Sequence, residues 1–244
     1  MLEIITFAII NGSSVILGAV IGVFRNLKQK TIAALMAFGS GVLICALTFG
    51  LMEGAFGHGG FDAVIIGFLC GGLLFIGGDY LIHIFGGRIN RHNRFNNNQS
   101  NQNGLMIALG SALDGIPESV ALGISLFGNR AIGLMLIAAI FISNFPEGIS
   151  SAGGLKKEGF SKSKILTIWI SVGMGMMLAT FLSFIFLHNL DTNSIGILEA
   201  LAAGAILAML TDSMMPEAYE EGGYAVIGLL TILGFLVTFI ISHL

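Results

Sequence analysis

Charge is what this sequence has least of: 10% of its 244 residues are Asp, Glu, Lys or Arg, against 55% hydrophobic. A soluble domain usually carries about 25% charged residues. Too few charges exist to clothe a globule in water, so lipid must solvate most of its surface. The net charge of −3 is too small to imply a polyanionic partner, and nucleic-acid binding has no support. Cysteine is nearly absent: Cys45 and Cys70 both lie in apolar runs, which excludes a disulfide framework and leaves packed thiols. Met1-Leu2-Glu3 offers no basic lead-in, and the first apolar run is long enough to span. It reads as a mature helix, not a cleaved signal.

What is present is apolar runs of about 20 residues, the length a spanning helix requires. They are continuous, unlike the alternating segments of about ten residues in a membrane β-barrel. Glycine, at 35 residues, suits close helix approach in a bilayer. The chain is therefore expected to be an all-α integral membrane protein, one transmembrane domain over residues 1–244. Eight spans are predicted, over 4–24, 31–52, 61–84, 104–127, 131–154, 164–187, 195–215 and 224–243. Residues 85–103 are polar and Asn-rich, and read as a flexible loop. With alternating spans, Arg25, Lys28, Lys30, Arg88, Arg91, Arg94, Lys156, Lys157, Lys162 and Lys164 share one side, and Arg130 takes the other. The positive-inside rule puts that basic side in the cytoplasm and both termini outside.

A carboxylate near the bilayer centre costs roughly 2.5–3.5 kcal/mol on insertion scales. Three are expected at similar depth. Asp114 lies ten residues into the fourth span, about 15 Å deep at 1.5 Å per residue. Glu118 is one turn further, and Glu147 sits near the middle of the fifth span. Asp114 and Glu118 share a helix face, as do Ser143 and Glu147, with Asn144 three residues before Glu147. If the two faces oppose, the oxygens of Asp114, Glu118, Ser143, Asn144 and Glu147 converge. Pro117 and Pro146 cannot donate to the carbonyls of Leu113 and Ile142. The freed oxygens must find a neighbour, water or an ion. Carboxylates this close repel, so protons or a bound cation must neutralise them. A cation site is the simplest resolution.

Residues Gly41, Leu47, Thr48, Met52 and Ala55 match Gly204, Leu210, Thr211, Met215 and Ala218 at an offset of 163. The second and seventh spans run in opposite directions, so the match points to an inverted repeat. An enzyme is disfavoured. No His-Glu-x-x-His run exists for a zinc protease, and Asp114 has no Asp partner on the fifth span. A proton-coupled carrier or channel for another small cation would use the same carboxylates and is the alternative reading.

The paired segments Asp114-Gly115-Ile116-Pro117-Glu118-Ser119 and Ser143-Asn144-Phe145-Pro146-Glu147-Gly148 resemble the ZIP family of metal transporters, which carries His-Asn-x-Pro-Glu-Gly or close variants in both helices. The segment Leu201–Glu217 is similar to that family's seventh helix. The resemblance implies a bundle whose fourth and fifth helices form the metal site. It implies a carrier bringing zinc first, with iron, manganese or cadmium also in range, into the cytoplasm. Asp114, Glu118, Ser143, Asn144 and Glu147 would be the metal-binding residues, with no resident cofactor apart from the transported ion. The family often holds two metals. Here Asp114 replaces the motif His, Gly115 the Asn, and residues 164–188 contain no acid, so one metal is expected. An all-oxygen shell favours harder ions such as manganese more than a His-bearing one would. The expected setting is a bacterial cytoplasmic membrane, with lipid and divalent metal ions as partners and a homodimer as the allowed assembly.

Flanking groups suggest a path. Glu53 and His58 lie at the outer end with Asp62, and could collect cations or be ordinary loop residues. Asp212 and Glu217 lie at the inner end of the seventh span and could guide exit; Glu220 and Glu221 read as a wet acidic turn. Asp79 and His83 are one turn apart near the inner end of the third span. Glu199 can simply face the interface. The methionines, Met174, Met176 and Met177 among them, read as gap-fillers.

Overall fold

The computed structural model describes residues 1–85, 103–126, 130–187 and 189–243. Most of the loop expected over 85–103, His92 included, and the side chain of His83 lie outside the described residues. The described chain is helical, with no strand. Its α-helices are α1 (Leu2–Phe24), α2 (Gln29–Ala46), α3 (Glu53–Phe85), α4 (Asn103–Ser125), α5 (Arg130–Lys157), α6 (Lys162–Leu187), α7 (Thr192–Met209), α8 (Met215–Gly222) and α9 (Tyr224–Ser242). Two π-helical segments, Leu47–Met52 and Leu210–Met214, join α2 to α3 and α7 to α8.

Six helical stretches among the described residues are long and apolar enough to cross a membrane. The merging of two expected spans into one helical run accounts for part of the difference from eight. Residues Gln29–Ile82 form one run of 54, which at 1.5 Å per residue would extend about 80 Å, far beyond a bilayer. It turns at Gly60, whose φ of 65° is open to glycine and strained for other residues. The expected break between the second and third spans is thus a bend without a loop.

Helix α1 packs against α5 and α6, and α4 against α6; α3 packs along α7, and α2 against α9, α5 and α8. Where α1 crosses α5 the backbones nearly touch. A Cβ placed on Gly148 would stand 2.5 Å from the carbonyl oxygen of Val15. The basic residues gather at one end. Lys156 Nζ donates to Asn26 Oδ1 at 3.0 Å, and Lys162 Nζ lies 5.2 Å from the Phe24 ring centre. The start of α1 lies at the other end, where Phe7 meets the beginning of α5 near Gly133. The His243 ring meets Phe49 edge-on beside the start of α5, at that end too.

The two π segments begin at Leu47 and Leu210, residues paired by the offset of 163. Thr48 Oγ1 donates to Ile44 O at 2.7 Å, and Thr211 Oγ1 to Leu207 O at 3.1 Å, again equivalent positions. Ala55 and Ala218 are both fully buried. The likeness of these two stretches therefore extends from residue identity to a shared irregularity of the backbone, and π-bulges often mark functional regions.

Candidate metal-transport site

Glu118 is the most enclosed acid of the described chain, with none of its surface exposed. It lies one turn beyond Asp114 on α4, a helix that carries Pro117 without ending there. Its Oε2 accepts a hydrogen bond from Asn144 Nδ2 of α5 at 2.7 Å. The two Pro-Glu segments therefore face each other across the α4–α5 seam. No donor among the described residues reaches Glu118 Oε1. Asp114 is also buried, and its charge acts on Glu118. Two acids at this spacing and burial are costly as a pair of anions. A cation relieves that cost.

The remaining expected ligands stand nearby in the fold but are engaged differently. Ser143 is buried, and its Oγ donates to Ile140 O of its own helix at 3.0 Å. The peptide oxygen of Ile142, freed by Pro146, faces α2: a Cβ on Gly39 would stand 3.1 Å from it. Glu147 is half-buried. Among the described residues, no three His, Cys, Asp or Glu side chains gather as a ready cage. The direct contact between the two helices joins a carboxylate to an amide.

The space beside Gly115 is filled from α6. A Cβ there would come 2.9 Å from the sulfur of Met176, a buried residue. That thioether occupies the side of α4 where a larger residue at 115 would project, and its gap-filling character matches the reading of the methionines.

The flanking groups separate into two ends. At the end away from the basic residues, His58 Nδ1 lies 2.8 Å from Glu199 Oε2. Glu199 is buried, and Gly54 packs against its carboxylate, so it faces protein and not the bilayer interface. Glu53 is exposed and borders a cavity of about 630 Å³ that also meets Phe49, Met135 and His243. At the basic end, Ser150 Oγ donates to Glu217 Oε1. Ser150 lies two turns along α5 from Ser143, so Ser143, Glu147 and Ser150 make a polar stripe leading from Asn144 to Glu217. Asp212 is exposed on the π segment.

A second polar node went unnoticed in the sequence. Asn11 of α1 is fully buried, and its Nδ2 donates to Ser119 Oγ of α4 at 2.9 Å and to Thr180 Oγ1 of α6 at 2.8 Å. Ser119 in turn donates to Gly115 O at 2.6 Å. The signal was the polar run Asn11-Gly12-Ser13-Ser14 in the middle of an apolar span.

A helical bundle with apolar helices long enough to cross a membrane, packed around a buried carboxylate–amide contact, is that of an integral membrane protein. A family model described as ZIP zinc transporter matches residues 88–244. The chain belongs to the ZIP family of divalent metal transporters, which are not enzymes. No curated protein matches it.

Proposed function

We propose that this chain carries divalent transition-metal ions, zinc foremost, from outside into the cytoplasm, and that Glu118, Asp114, Asn144, Ser143 and Glu147 bind the ion in passage. One observation carries the proposal: a carboxylate with no exposed surface is held across the seam of two proline-bearing helices, and one of its oxygens is buried with no hydrogen-bond donor among the described residues. A single metal suits the site, because Met176 fills the α6 side beside Gly115. Eight spans, an inverted repeat and both termini outside complete the reading. The clustering of Lys156, Lys162 and the Arg25–Lys30 turn at one end supports a cytoplasmic face there. The setting is a bacterial cytoplasmic membrane, and the partners are lipid and divalent metal ions.

The ion enters near Glu53 and His58, exchanges water for the oxygens of Glu118 and Asn144, and leaves along Ser150 toward Glu217 and Asp212. One helix group rocks against the other to alternate access. A negative interior favours inward movement by about 2.3 kcal/mol per charge per 100 mV. Uptake of zinc into proteoliposomes, with cadmium, iron and manganese as competitors, tests the substrate. If zinc neither enters nor competes, the assignment fails.

Two variants probe the details. Ser143→His supplies an imidazole to a shell of oxygens, and should increase the preference for zinc over manganese in the competition assay. Ser150→Ala removes the donor to Glu217. It should lower the maximal uptake rate while leaving half-saturation near that of the parent, since exit is slowed and not binding.

A further inference from the structure

We infer that Asn11 is a positioning residue for transport: by gripping Ser119 it fixes the rotation of α4 that turns Glu118 toward Asn144. The inference rests on the proposed site at Glu118. Asn11 is the tenth residue of the 23 in α1, close to mid-span. Both hydrogens of its amide are engaged, one on α4 and one on α6. Its Oδ1 is buried and receives no hydrogen bond among the described residues. A buried polar atom without a partner is destabilising, and an apolar residue of similar size would avoid that cost. Its two hydrogen bonds are thus offset in part by an unpartnered oxygen, and stability alone is a weak reason for an amide here.

Geometry supplies one. Ser119 follows Glu118 by one residue, about 100° round the helix at 3.6 residues per turn. A bond that anchors Ser119 to α1 thus sets the direction of Glu118. One turn further along α1, on the same face, the carbonyl of Val15 backs onto Gly148. Gly148 follows Glu147 as Ser119 follows Glu118. A single face of α1 thus touches the residue after each motif glutamate, by a hydrogen bond on α4 and by backbone contact on α5. Helix α1 sets the register of the two helices that share the ion, and Asn11 is its polar contact with α4.

Outer partners that orient metal ligands are worth about 10–100-fold in metal affinity. Purified Asn11→Ala and Ser119→Ala proteins are titrated with zinc, their melting temperatures are measured, and Glu118→Gln is run in parallel. Each alanine variant should bind zinc about tenfold more weakly in its folded fraction. The Asn11→Ala/Ser119→Ala double variant should be no weaker than the worse single one, because both remove one link. A merely structural role would lower the melting temperature and leave the dissociation constant of folded protein unchanged; that result overturns the inference. If Asn11→Ala does not fold, Asn11→Ser, which keeps a shorter donor, and Ser119→Ala decide the matter by the same criterion. Parental affinity in Glu118→Gln would instead defeat the site itself. Loss in Glu118→Gln with parental affinity in the other two defeats only the role of Asn11.

Discussion

Zinc uptake by Glu118→Gln should fall to the background leak of empty liposomes, while the protein remains folded and melts no lower than the parent. The two halves of that result have separate causes. Glutamine keeps the length of the side chain and a carbonyl oxygen that can accept from Asn144 Nδ2, so the contact across α4 and α5 survives. It also removes an anion from a position with no exposed surface, where an unpaired charge is strongly disfavoured. The folded state trades a buried carboxylate for a buried neutral amide, a change that lowers the cost of burial. Transport loses the negative charge that draws a divalent ion out of water. A neutral amide oxygen does not replace it, because shedding hydration needs a strong anionic ligand in a dry site. Uptake of radioactive zinc into proteoliposomes and the melting temperature in detergent check the pair. Normal uptake by a well-folded Glu118→Gln protein would remove Glu118 from the path. Loss of both uptake and folding would assign the residue to structure.

The parts of this protein legible in its sequence were those where one residue type has one meaning at a given depth. Acids inside an apolar run cannot be read as surface, so Asp114 and Glu118 stood out, and both are buried. The Pro-Glu spacing placed Asn144 against the fourth helix, and the Glu118–Asn144 bond lies across that seam. Helix ends were less legible. The break between the second and third spans was expected near a loop, but Gly60 turns the chain without leaving helix, and one glycine among 35 does not announce its φ. The π segments were invisible for a related reason: Thr48 and Thr211 fit an α-helix equally well, and the bulge arises from packing. Side-chain engagement was least legible. Ser143 is expected among the ligands from its sequence position, yet its hydroxyl is bound to Ile140 O, a choice made within its own turn. Glu199 was read as able to face the interface, whereas it is buried beside His58. Pairings between distant spans, such as Asn11 with Ser119 and Thr180, leave no periodic trace at all.

Gly148→Val should unfold or severely weaken the protein, whereas Gly153→Ala, less than two turns further along the same helix, should be neutral or stabilising. Intrinsic propensity predicts the same sign for alanine at both sites, because glycine inside a helix costs about 0.5–1 kcal/mol relative to alanine. The surroundings separate them. Nothing lies within 4 Å of a Cβ on Gly153, so there the propensity gain stands. On Gly148 a Cβ would meet the Val15 carbonyl at 2.5 Å and the Ala19 nitrogen at 3.1 Å, both backbone atoms that no rotamer change can move. Helices α1 and α5 would have to separate, and overpacking of this kind costs about 1–3 kcal/mol, with a branched side chain at or above the upper end. For a chain of this size each kcal/mol is worth about 2–4 °C, so a fall of about 6–12 °C is expected for Gly148→Val. Separation of the two helices would also move the residue after Glu147 away from α1. Zinc affinity of any protein that still folds should therefore drop with stability at Gly148 and stay unchanged at Gly153. Thermal unfolding in detergent, followed by size-exclusion profile, and zinc titration of the surviving fraction measure both. A Gly148→Val protein as stable as the parent would mean that α1 and α5 do not meet here, and the support of Glu147 would have to come from elsewhere.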